Sequence, residues 1–173
     1  MAGNSGPLRV LAIDPGTSTA GYALLDWEAG KAEVLKAGVI RQKPRQALSE
    51  RLVVLYDRVE ELIRTYRPGV LAIEDVFFAR NVRSSLKLGE ARGVVIVAAA
   101  RQGLEIAEYS PAEVKQAVAG HGAASKEQIQ RMVATLLGLT EVPKPSDVAD
   151  ALAIALCHCH RQNSAATLAG GKG

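Results

Sequence analysis

The sequence is poor in aromatic residues, cysteine and long apolar runs. Only 4% of its 173 residues are aromatic and two are cysteine. The longest apolar run, residues 93–100, is eight residues long, far below the roughly 20 that a transmembrane helix needs. The polar start of the chain lacks the apolar core of a signal peptide. Two cysteines cannot support a disulfide scaffold, so we expect a reduced cytoplasmic protein without membrane association.

Net charge is also low, at +3 with a pI near 9.0, and alone it does not require a nucleic-acid partner. The charge is unevenly distributed. Residues 78–131 contain eight Lys or Arg and five Glu, so this segment carries a net charge of +3, equal to that of the whole chain. An acidic pocket beside such a basic segment suits a cation-assisted reaction on a polyanion. An ordinary solvated surface would show the same pattern, so charge alone leaves both interpretations open.

The apolar pattern predicts three strands, then strands alternating with helices, and a helical C-terminal half. This order favours an α/β fold in which helices cover both faces of a mixed sheet. We expect a leader at 1–7, one domain at 8–162 and a small polar tail at 163–173 that is disordered. The predicted strands are 8–13, 20–27, 32–41, 70–74 and 104–109; the predicted helices are 48–66, 84–101 with Ser84 or Ser85 at its start, one opened by Pro111, one capped by Ser125, and 147–162.

Four carboxylates lie at the ends of predicted strands or near the start of the last predicted helix. Asp14 and Glu74 each end a short apolar strand, and Asp147 and Asp150 share one face of the last helix. Each acid has an ordinary explanation: Asp-Pro-Gly forms turns, and acids near a helix N-terminus stabilise its dipole. If the two strands are parallel neighbours, however, all four acids meet at one sheet edge. Hard oxygen ligands favour Mg²⁺ or Mn²⁺, and two such ions about 3.5–4 Å apart catalyse phosphodiester hydrolysis.

A zinc site in Cys157-His158-Cys159-His160 is the less favoured alternative. Consecutive residues of a helix point all round its axis, so these four side chains cannot surround one ion. For the same reason Cys157 and Cys159 cannot form a disulfide with each other while the helix is intact.

Four blocks of the chain together resemble the RuvC family of bacterial Holliday-junction resolvases. They are LAIDPGTSTAGYALL (11–25), LAIEDVFFARNVRSSLKLGEARGVVIVAA (71–99), EYSPAEVKQAVAGHGAASKEQIQRMV (108–133) and PSDVADALAIALCHCH (145–160). The resemblance implies the RNase H-like fold, a five-stranded mixed sheet of order 3-2-1-4-5 flanked by helices.

Position by position, the resemblance also implies site residues. Asp14, Glu74, Asp147 and Asp150 correspond to the catalytic metal ligands, with two Mg²⁺ per active site that Mn²⁺ can replace. Phe77 corresponds to the aromatic residue that enters the junction centre. The implied DNA contacts further include Arg80, Arg83, Lys87, Lys115 and Lys126.

The activity implied is an endonuclease that nicks two strands of like polarity in a four-way junction and leaves 5′-phosphate ends that ligase can seal. Its implied partners are junction DNA, a second copy of the chain and the branch-migration proteins RuvA and RuvB. For the dimer we favour the helix at 84–101 as interface over a helix enclosed in the monomer, because Gly89 and Gly93 permit close packing.

Two other functions stay open. A phosphate-loop ATPase of the actin and sugar-kinase type uses a similar strand-Asp-x-Gly-Thr segment, but it needs two such lobes and this chain has room for one. A junction-binding relative that does not cut is the other, and the presence of all four acids argues against it.

Overall fold

The computed structural model describes residues 6–16, 18–43, 45–75 and 81–170, with side chains described as far as residue 164. The chain forms five strands and five helices within these ranges. In chain order they are β1 (Leu8–Asp14), β2 (Thr19–Glu28), β3 (Lys31–Arg41), α1 (Leu48–Tyr66), β4 (Val70–Glu74), α2 (Val82–Arg101), β5 (Glu105–Tyr109), α3 (Pro111–Ala119), α4 (Lys126–Leu136) and α5 (Ser146–Gly170). None of these helices is long and apolar enough to cross a membrane.

The five strands form one sheet in the order β3-β2-β1-β4-β5. β1, β2 and β3 are antiparallel, whereas β4 runs parallel to β1 and β5 runs parallel to β4. The predicted mixed sheet and its order are therefore confirmed.

Helices cover both faces of the sheet. Because successive side chains of a strand point to opposite faces, the residues of β1 alternate between two cores. Val10 and Ala12 face the core formed with α3, α4 and α5. Leu11 and Ile13 face the core formed with α1 and α2. α5 runs through the first core, and nearly all of its residues 148–159 are buried.

Helix boundaries differ from the prediction at two places. α2 begins at Val82, because the Asn81 side chain accepts a hydrogen bond of 2.9 Å from the Arg83 amide and so caps the helix in place of Ser84 or Ser85. α5 continues to Gly170, so residues 163–170 are helical where a disordered tail was predicted. Alanines in that segment favour a helix, and the Ser164 hydroxyl donates to the His160 carbonyl.

The predicted caps of α3 and α4 are confirmed. Pro111 opens α3, and Ser125 forms a reciprocal capping box with Gln128 at the start of α4. On α4, Ile129 and Val133 are buried, whereas Leu136 is 41% exposed.

Candidate active site

Two acidic side chains lie at the carboxyl ends of neighbouring parallel strands. β1 pairs with β4 in the register Ile13 to Ile73, so Asp14 and Glu74 both follow the last paired residues at the same sheet edge. This is the edge at which open α/β sheets bind ligands. The structure thus meets the condition on which the convergence of the acids was predicted.

The N-terminal turn of α5 reaches the same edge because a glycine lets it approach. Gly21 on β2 pairs directly with Asp14. A Cβ atom on Gly21 would lie 2.0 Å from the Asp147 carbonyl oxygen. Only a residue without a side chain allows such an approach, and it brings the helix turn that carries Asp147 and Asp150 next to β1.

Three of the four predicted acids line one open cleft of about 310 Å³: Asp14, Glu74 and Asp150. Asp147 does not line it. Two predicted basic residues, Lys115 on α3 and Lys126 on α4, line the same cleft. The remaining lining is apolar and consists of Pro111, Val114, Ile129 and Ala153.

The electrostatics of Asp14 show that the acids act on one another. The pKa of the Asp14 carboxyl is raised to about 7. Burial is the largest cause of this rise, and the negative charges of Asp150, Glu74 and Asp147 contribute to it in that order. Asp147 therefore lies close enough to influence Asp14 although it is outside the cleft lining. Carboxylates grouped in this way ionise together only when cations balance them.

Lysines supply part of that balance. The Lys126 ammonium lies 2.9 Å from a carboxylate oxygen of Asp150, and its charge lowers the pKa of Asp14. Burial raises the pKa of Glu74, with Asp150 adding to the rise, while Lys115 and Lys126 oppose it. The cleft thus combines three acidic side chains, here called its acidic floor, with two cationic ones.

The donor set fits a hard divalent cation. Carboxylate oxygens are the ligands that Mg²⁺ and Mn²⁺ prefer, and a cation would remove the repulsion that raises the pKa of Asp14. Among the described residues the acids do not form a closed group of three metal ligands. Asp14, Glu74 and Asp150 line one cleft. Asp150 is also paired with Lys126.

The other predicted DNA contacts fall on α2 or outside the described residues. Arg83 is exposed and Lys87 half-buried in the first two turns of α2. Phe77 and Arg80 lie outside the described residues, so their roles stay predictions.

Sequence reasoning missed two residues that shape this site, Gly21 and Arg92. A glycine inside a strand is a known sign of close backbone approach, so Gly21 carried a readable signal. Arg92 on α2 contacts the end of β4, with its Nε 3.3 Å from the Glu74 carbonyl oxygen. Nothing local in the sequence indicates that contact.

Cys157, His158 and Cys159 of α5 are buried, whereas His160 is half-buried. Cys157 and Cys159 are free and buried. The His158 imidazole shares a hydrogen bond of 2.7 Å with the Tyr109 hydroxyl, and His160 Nδ1 lies 3.0 Å from the Ala117 carbonyl oxygen. Both imidazoles therefore join α5 to neighbouring elements.

Comparisons with known proteins agree on one family. The family model described as "Crossover junction endodeoxyribonuclease RuvC" matches residues 10–158. The curated protein of that name from Heliobacterium modesticaldum is 48% identical over 151 residues, 87% of this chain and 93% of the relative. Its counterpart from Moorella thermoacetica is 50% identical over 151 residues, covering 87% of this chain and 90% of the relative.

Solved structures give the same result. Thermus thermophilus RuvC, solved alone and in complex with a Holliday junction substrate, is 40% identical, with TM-scores of 0.83 and 0.87. Each match covers 91% of this chain and 96% of the other. The yeast mitochondrial Holliday junction resolvase Ydc2 shares the fold at 16% identity, with a TM-score of 0.69 over 91% of this chain and 80% of the other.

Proposed function

The chain belongs to the RuvC family of crossover junction endodeoxyribonucleases, and on that premise we propose that it resolves four-way DNA junctions by metal-dependent nicks in two strands of like polarity. One observation carries the proposal: Asp14, Glu74 and Asp150 share a cleft with Lys115 and Lys126. Acids that can bind a cation, beside lysines that can bind phosphate, suit metal-assisted hydrolysis of a phosphodiester.

The four acids are the proposed metal ligands, with two Mg²⁺ ions per site and Mn²⁺ as a substitute. Bound there, the metal supplies a Lewis acid for the phosphate and lowers the pKa of water. Asp14 is the central ligand of this proposal, because it lies between the end of β4 and the α5 turn and is influenced by the other three acids. Lys115 and Lys126 hold the phosphate backbone over the acidic floor.

Residues before and on α2 are proposed to contact the junction arms. Arg83 and Lys87 would meet phosphates, as would Arg80 in the segment between β4 and α2. Phe77 in that segment is proposed to stack on an unpaired base at the junction centre, where aromatic stacking contributes about 1–3 kcal/mol per base.

Paired nicks need two active sites, and α2 offers a surface for a two-fold dimer. Its outer face carries an apolar stripe in which Val82 is 76%, Leu86 63% and Val97 52% exposed. Gly89 and Gly93 lie in the same stripe, and a Cβ on either would meet nothing within 4 Å. Burying this stripe against its copy would remove apolar surface from water and let the two helices approach closely.

The biological setting follows from the proposed substrate. The enzyme would act in the cytoplasm on recombining DNA, after RuvA and RuvB have moved the branch point. Its nicks would leave 5′-phosphate ends, which ligase joins.

Substitution of the acids tests this function. Asp14→Asn, Glu74→Gln and Asp150→Asn should each abolish junction cleavage in Mg²⁺ but leave binding in metal-free buffer near wild type. Metal ligands stabilise the transition state, whereas the duplex arms are held elsewhere. The matched control is Asp57→Asn, an exposed acid on α1, which should cut normally. A wild-type protein that binds the junction in Mg²⁺ without cutting it would instead support the non-cutting alternative.

A further inference from the structure

Arg92 is a mostly buried cation on α2 that reaches across to the end of β4. Its side chain is 18% exposed. Its Nε donates to the main-chain carbonyl of Glu74 at 3.3 Å, and its Nη2 contacts the carboxylates of Asp75, at 3.6 Å, and Glu108. One guanidinium thus meets the last residue of β4, the residue after it and the neighbouring strand β5.

The peptide group that joins Glu74 to Asp75 is hydrogen-bonded on two sides. On the β5 side, the Asp75 amide donates to the Tyr109 carbonyl oxygen at 2.7 Å. On the α2 side, Arg92 binds the Glu74 carbonyl oxygen. β4 ends at Glu74, and these two contacts hold the peptide between Glu74 and Asp75 from both sides.

We propose that Arg92 is a positioning residue for the metal site, holding the end of β4 so that the Glu74 carboxylate faces the cleft. The assignment rests on the proposed nuclease function and adds a residue outside the cleft to it.

The guanidinium group is suited to this arrangement and an ammonium group is not. Arginine presents five N–H donors in a rigid planar fork, whereas lysine is a single point charge on a flexible stem. A lysine at position 92 would keep the positive charge but could not reach a carbonyl oxygen and two carboxylates in fixed directions. The charge and the geometry of Arg92 can therefore be separated by experiment.

The experiment compares Arg92→Gln and Arg92→Lys with wild type and with Arg101→Gln, an exposed arginine at the end of the same helix. Mn²⁺ affinity is measured by electron paramagnetic resonance without DNA, and cleavage of a synthetic four-way junction is measured under single-turnover conditions. Loss of partners that orient metal ligands typically weakens metal affinity or activity about 10- to 100-fold. We expect a loss of that size in both measurements for both Arg92 variants, and none for Arg101→Gln.

Three results would overturn the proposal. One is Mn²⁺ affinity at the wild-type level in both Arg92 variants. A residue with a merely structural role would lower the melting temperature and leave the Mn²⁺ affinity unchanged. Another is full recovery by Arg92→Lys, which would leave charge alone as the cause. The third is equal loss in Arg101→Gln. Should Arg92→Gln fail to fold, Arg92→Lys decides. If the wild-type protein does not cut, the proposed nuclease function fails. The comparison of Mn²⁺ affinities still tests the role of Arg92, because it does not depend on cleavage.

Discussion

Gly21→Ala is a one-carbon change in β2 that should disable the active site from outside the cleft. The added Cβ would lie 2.0 Å from the Asp147 carbonyl oxygen and 2.6 Å from its carbonyl carbon. Both are backbone atoms of the first turn of α5, so they cannot rotate away as a flexible side chain would. Relief requires the helix start and β2 to separate.

The size of the effect follows from these distances. Ordinary contact with a Cβ begins at 3.4 Å, so the first turn of α5 must retreat by roughly 1.4 Å, and a 1 Å misplacement of reacting groups costs about 100-fold in rate. Asp147 and Asp150 move with that turn, whereas Asp14 stays on β1. We therefore expect a cleavage rate at least about 100-fold lower, equivalent to about 2.7 kcal/mol in activation free energy. Overpacking should also lower the free energy of unfolding by about 1–3 kcal/mol.

The assay is single-turnover cleavage of a synthetic four-way junction at saturating Mg²⁺, with junction binding in metal-free buffer and thermal melting measured in parallel. Gly69→Ala is the matched control, because a Cβ there meets nothing within 4 Å. It should cut at the wild-type rate. A folded Gly21→Ala protein that also cuts at the wild-type rate would refute the view that close packing on Gly21 places the α5 acids.

Three further predictions concern the dimer, the pH dependence and the junction centre. Leu86→Asp should convert the dimer to a monomer in sedimentation. Val53→Asp, at a position 58% exposed on α1, should leave the dimer intact. A Leu86→Asp protein that stays dimeric would exclude the α2 stripe as the dimer interface. At limiting Mg²⁺, cleavage should rise with pH through about 7, because Asp14 with a pKa of about 7 must lose its proton to bind a cation. Lys126→Ala removes a charge that lowers this pKa, so the midpoint should move to higher pH; a midpoint that stays or falls would contradict this assignment. Phe77→Ala should lower cleavage by about 5- to 160-fold if stacking contributes about 1–3 kcal/mol, with little change in junction affinity. Cutting at the wild-type rate would end the stacking proposal.

Local pattern was sufficient to predict most elements of the fold. Short apolar runs identified β1 and β4, apolar alternation identified β2, and steps of three and four identified α1. An unbroken run fits a strand buried on both faces, whereas each of the other two patterns marks one buried face. Strand order is different, since it depends on pairings between segments far apart in the chain. It was expected from the family resemblance, and the pairing of β1 with β4 agrees with it.

Helix ends were harder to predict because several residues can serve as caps. Asn81, Ser84 and Ser85 are all good N-cap residues, and only the hydrogen bond from the Arg83 amide to Asn81 shows which one begins α2. The small polar composition after residue 162 favoured disorder, but its alanines extend α5 to Gly170.

The acids of the site could be predicted individually, but the contacts that hold them could not. Asp14 and Glu74 are visible as charged residues that end apolar strands. Arg92 is not, because its partners are a main-chain carbonyl on another element and two carboxylates that only tertiary structure brings together. The pairing of Lys126 with Asp150 is equally nonlocal, since 24 positions separate the two residues.

The most direct test of the account is to map nicks on a four-way junction whose four strands are labelled one at a time. Wild type with Mg²⁺ should cut two strands of like polarity at symmetric positions, leave ends that ligase seals, and spare a linear duplex of the same sequence. Asp14→Asn should bind the same junction and leave all four strands whole. Equal cutting of the linear duplex, or symmetric nicks by Asp14→Asn, would contradict the claim that this acidic cleft resolves junctions.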